Sequence, residues 1–99
     1  MRAATDEQQR GEAFAWYVKS AREKEPAGMR NLASAHELGL GVAQSDKLAL
    51  LWYERAGWSG DVPAMRRMVD VYVKGELGQP ANAEDAAEWR GKLAGKENK

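Results

Sequence analysis

Ninety-nine residues supply one domain's worth of chain, 43% of it apolar, with 15 Lys plus Arg against 15 Asp plus Glu. That balance removes the positive field on which non-specific nucleic-acid binding depends. With no cysteine, disulfides, thiolate zinc sites and a cysteine nucleophile are excluded together.

Five helices and no strand are predicted. The opening MRAATDEQQR has no apolar h-region, so a cytoplasmic location is expected, with a periplasmic one if a leader has been removed. The first helix, 6–23, begins where Thr5 and Gln8 are spaced as a capping box. It carries Ala13, Trp16 and Tyr17. It also bears a second apolar stripe, Phe14, Tyr17, Val18 and Ala21, which with no helix before it would stand in water.

The second helix, 27–38, follows Pro26 and aligns Met29, Leu32, Ala33 and His36. Gly39 and Gly41 let the backbone leave it with positive φ. Ser45 is a good N-cap for the third helix, 46–58, whose face is Ala49, Trp52, Tyr53 and Ala56. Asp61 caps the fourth, 62–74, with Pro63 in its first turn and Met65, Met68, Val69 and Tyr72 on one face. Gly75 ends it. Asn82 starts the fifth, 82–94, where an internal Gly91 costs ~1 kcal/mol against alanine and marks the weakest element or a solvent-facing cap. No window approaches the ~18 apolar residues of a membrane helix, and residues 96–99 are expected to fray.

These elements repeat. A shift of 36 residues carries Ala13, Trp16 and Tyr17 onto Ala49, Trp52 and Tyr53, and Met29 and His36 onto Met65 and Tyr72. A shift of 37 then carries Ala49 and Trp52 onto Ala86 and Trp89, the extra residue falling in GELGQPAN, where a loop absorbs it. Trp16, Trp52 and Trp89 are therefore expected to be structural anchors of the unit. Trp58 lies outside that frame, where the first helix has Arg22. It is expected to pack against the following turn, the other reading being an exposed binding residue.

Chemistry is sparse. His36 stands on an apolar face and is expected to be a core or groove-edge residue. No second histidine completes a metal site, and neither Ser34 nor Ser59 sits in a nucleophile turn. The acidic side chains interleave with basic ones, as on solvated helix faces. GLGV at 39–42 follows a helix and lacks a Walker lysine, so it is an inter-helix turn. No enzyme, metal or cofactor is expected.

The stretch GMRNLASAHELGLGVAQSDKLALLWYERAGWSGD resembles a Sel1-like repeat, a relative of the tetratricopeptide repeat, through Asn31, Leu32, Gly39, Gly41, Val42, Ala49, Trp52, Tyr53, Ala56 and Gly60. The following unit matches at Ala64, Tyr72, Gly75, Ala86 and Trp89, and the first helix matches a lone second helix of the unit. Ala33 and Val69 replace a small glycine, His36 an aromatic and Gly57 an alanine. The resemblance implies an all-α, right-handed helix-turn-helix solenoid (an α-α superhelix) of about two and a half repeats. It divides into a lone B helix at 6–23, a repeat at 27–60 and a repeat at 62–94, one domain over 1–95.

In such repeats the first (A) helix of each unit lines a concave wall. By transfer, the groove positions are Arg30, Ser34, Glu37 and Leu38, then Arg66, Asp70, Val73 and Lys74, with Arg30 and Arg66 as a ladder of two guanidiniums free to fork to carboxylates. The implied function is a non-enzymatic adaptor or scaffold that binds a protein or peptide, with no nucleic acid, membrane or cofactor. The alternatives are a bacterial immunity or inhibitor protein that neutralises a toxin, and a chain that self-associates through Phe14 and Val18, with Trp58 in the same second interface.

Overall fold

The computed structural model describes residues 5–97. Five α-helices follow in order: α1 (Asp6–Arg22), α2 (Pro26–Leu38), α3 (Asp46–Trp58), α4 (Val62–Lys74) and α5 (Ala83–Glu97). There is no strand among the described residues. Each helix packs on the next in sequence, and the result is an elongated body of 52 × 30 × 18 Å. Successive antiparallel helices that touch mainly their neighbours make an all-α repeat solenoid.

Local chemistry sets the boundaries. The amide of Gln8 donates to Thr5 Oγ1 and the amide of Thr5 to Gln8 Oε1, completing the capping box of α1. Ser45 Oγ accepts from the amide of Leu48, Asp61 Oδ2 from that of Ala64 and Asn82 Oδ1 from that of Asp85. Gly39 and Gly75 close α2 and α4 in the left-handed region, at φ of 67° and 73°. In each case a side chain or glycine supplies what a helix end lacks.

The two inter-helix turns show how the extra residue is absorbed. Both are closed by the same backbone bond, from the amide of Ser45 to the carbonyl of His36 and from the amide of Asn82 to the carbonyl of Tyr72, each 2.8 Å. The longer turn swings Leu77 into the core at φ 53°. A left-handed backbone costs a non-glycine residue about 1–2 kcal/mol. Burying the leucine, at about 1.5–3 kcal/mol, offsets it.

Small side chains set the helix crossings. A Cβ on Gly28 would lie 2.4 Å from Ser20 Cβ, so α1 and α2 meet where only glycine fits. One repeat on, the same pair of positions holds the fully buried Ala64 and Ala56. The core is built from Met29, Leu32, Met65, Met68, Val71 and Trp89 around these contacts. Helix α5 runs three residues past its expected end at 94 and takes in Lys96 and Glu97 of the expected frayed tail; residues 98 and 99 lie outside the described residues.

Candidate functional site

The expected groove residues divide into those engaged within the fold and those left in solvent. Arg30 Nε donates to Asp61 Oδ2 at 2.8 Å, the same oxygen that caps α4. Arg66 pairs with Glu97 at the end of α5. The expected ladder of two free guanidiniums is thus corrected: each arginine reaches a carboxylate 31 residues further along. The reason is geometric. The chain at the end of each B helix, Asp61 just past α3 and Glu97 as the last residue of α5, lies beside the preceding A helix and brings a carboxylate within reach of the guanidinium.

Glu37 is likewise engaged. It accepts from the Tyr53 hydroxyl at 2.9 Å and from Arg67 Nη2 at 2.6 Å, while Arg67 Nη1 donates to Glu76 at 2.7 Å. This half-buried chain ties α2, α3 and α4 to the turn before α5. Burial, reinforced by the Glu37 carboxylate, pushes the Tyr53 phenol up to about 12. The hydrogen bond from Arg67 holds Glu76 below the usual carboxylate range, and the bond to Glu37 drives Arg67 further up. Sequence reasoning missed Arg67. Its signal was the repeat itself, which puts polar Asn31 and Arg67 at equivalent positions just before Leu32 and Met68.

The other expected groove positions face water to different degrees. Ser34 is half-buried, whereas Asp70 and Lys74 are exposed. Leu38 is 62% exposed and Val73 46%.

His36 is buried, as expected, with the Phe14 ring edge-on at 5.6 Å. Its Nδ1 has no hydrogen-bond partner among the described residues, and burial pushes the imidazole below its ordinary value. Phe14 and Val18 are half-buried and packed against the core. The expectation that they stand in water is corrected, because α2 folds back over that stripe.

The expectation of three anchoring tryptophans is also corrected. Trp89 is 5% exposed, Trp52 half-buried and Trp16 66% exposed. Trp89 lies on Gly57, at the end of the B helix before it, and the equivalent pair one repeat earlier, Trp52 and Ala21, lines one cleft. Trp16 has no earlier helix to meet among the described residues. Trp58, expected to be packed, is 58% exposed, touching Trp89 edge-to-face at 5.6 Å. It ends its helix, where only α5 covers one side of its ring.

No cluster of acidic or histidine side chains suited to a metal exists among the described residues, and none of their helices is long and apolar enough to cross a membrane. The arrangement offers surfaces for contact.

Among curated proteins no match to the chain was found. The crystal structure of a Sel1 repeat protein from Oxalobacter formigenes superposes with a TM-score of 0.81 at 28% identity, covering 86% of this chain and 35% of that one. The chain thus spans about a third of that protein's length. The Sel1 repeat family matches residues 6–24, 26–61 and 62–92. With three units matched across nearly the whole sequence and the fold shared, the chain belongs to the Sel1 repeat family.

Proposed function

We propose that the chain is a non-catalytic adaptor that binds a protein or peptide through the face of its A helices. Sel1 repeats are in general protein–protein interaction modules. The observation that carries the reading for this chain is the exposure of Leu38 and Val73, one on each A helix, the latter on α4 with Arg66, Asp70 and Lys74. Large apolar side chains held in water on a rigid scaffold gain most when a partner covers them, and the charges around them set register and orientation. Arg30 and Glu37 serve this face indirectly, fixing α2 against α4 and Asp61. The test is a capture experiment from native lysate with the wild type and a Leu38→Asp, Val73→Asp double variant of matched helicity. A specific partner retained by the wild type and lost by the variant supports this face. Equal capture by both would place binding elsewhere.

A further inference from the structure

Two open clefts, of about 480 and 400 Å³, lie where the B helices end and the A helices begin. They are copies of one another. Ala21, Arg22, Lys24 and Met29 of the first correspond, 36 residues on, to Gly57, Trp58, Gly60 and Met65 of the second. At the 37-residue shift, Arg55, Trp58 and Ser59 correspond to Lys92, Gly95 and Lys96. Trp58, with Ser59 beside it, is the wall common to both.

The charge around them is one-sided. Arg22, Lys24 and Arg55 line the first cleft, Lys92 and Lys96 the second, and among the described residues no carboxylate lines either. In a chain of zero net charge this is a local concentration of cations. Of the acidic groups nearby, Asp61 is engaged by Arg30 and Glu97 by Arg66, while Glu23, Glu54 and Glu88 are exposed and line neither cleft. Two of the cations are held on aromatic faces: Arg55 lies 5.0 Å from the centroid of Trp52 and Lys92 Nζ 3.6 Å from that of Trp58. Each B helix carries a basic residue three places after its tryptophan (Lys19, Arg55, Lys92), and Lys19 stands over Trp16 at 5.1 Å.

We propose that these tandem clefts are a second binding site, separate from the A-helix face, for an acidic peptide that seats one apolar side chain on each side of Trp58. Apolar floors with a cationic rim complement a segment in which carboxylates surround bulky apolar residues. Neighbouring helices pack about 8–10 Å apart, a similar step separates clefts that share a wall, and a polyproline-like segment covers it in about three residues, its side chains returning to the same face. Aromatics with cations also suit single-stranded nucleic acid. The peptide is favoured because the clefts have apolar floors, with Met29, Trp52 and Ala21 in the first and Met65 and Trp58 in the second.

The test follows the indole N–H resonances of Trp52 and Trp58 in the ¹⁵N-labelled protein. The probes are a glutamate-rich peptide with two leucines three positions apart, the same peptide with every Glu replaced by Lys, and oligothymidylate. The acidic peptide is expected to shift both indoles saturably, and the affinity to fall at least tenfold with added salt and in an Arg22→Glu, Arg55→Glu, Lys92→Glu variant of unchanged helicity. The Leu38→Asp, Val73→Asp variant should bind it as the wild type does, which separates this site from the A-helix face. Equal binding of the lysine peptide, salt-independent binding, unmoved indoles, or a response to oligothymidylate alone would each overturn the proposal. The salt series on the wild type decides the matter if the triple variant fails to fold.

Discussion

The indole of Trp89 lies against Gly57, so closely that a Cβ built on the glycine would come within 2.6 Å of the ring. Gly57 takes the place of the alanine in the Sel1 pattern. The departure has a physical cause, since the next tryptophan of the array occupies the space of the missing methyl. Alanine there gains about 1 kcal/mol of helix propensity but overpacks a buried ring at about 1–3 kcal/mol. Gly57→Ala is therefore expected to lose about 1 kcal/mol net, read from urea unfolding; a more stable variant would show that the ring yields freely.

Gly91 gives the opposite expectation. A Cβ at this helical position of α5 meets nothing within 4 Å, so only propensity and chain entropy operate. Gly91→Ala should stabilise the fold by about 1 kcal/mol in the same assay. Identical substitutions with opposite signs would separate packing from propensity.

On the alkaline side, Tyr53 dominates. Its phenol titrates near 10 when unfolded and at about 12 when folded. The stability it contributes is thus complete below pH 10 and is lost as pH rises towards 12. Tyr72 is shifted in the same direction, chiefly by burial. Removing the Tyr53 hydroxyl in Tyr53→Phe should flatten part of the alkaline decline. Glu37→Gln should bring the Tyr53 titration, followed by ultraviolet absorbance, part of the way back towards 10, because burial, the larger cause, remains.

On the acid side, His36 is buried neutral and its folded value is lowered by desolvation. Its contribution is complete above the ordinary value near 6.5 and is lost as pH falls through the lowered folded value. His36→Phe should make stability less dependent on pH in that window. An unchanged pH profile in the variant would mean that the imidazole gains a proton without penalty.

What was legible in the sequence was local. The caps at Thr5, Ser45, Asp61 and Asn82 and the turns at Gly39 and Gly75 depend on neighbours within a few residues, and the repeat period follows from the sequence laid against itself. What escaped depends on partners a repeat away. Nothing near Arg30 or Arg66 announces Asp61 or Glu97, 31 residues on. The contrast between Trp16 and Trp89 comes from whether a preceding B helix lies among the described residues to cover the ring, which identical local motifs do not encode. The cation after each tryptophan was readable, but its place on a cleft rim required the stacking of units.

The most direct test of the binding account uses a photo-crosslinking residue at position 73, in α4, compared with one at exposed position 12, in α1. Both proteins are irradiated in native lysate, and the conjugates are identified by mass. The account predicts a discrete protein conjugate from position 73 that is absent from position 12 and lost with Leu38→Asp. A conjugate formed from position 12 and never from position 73 would contradict it.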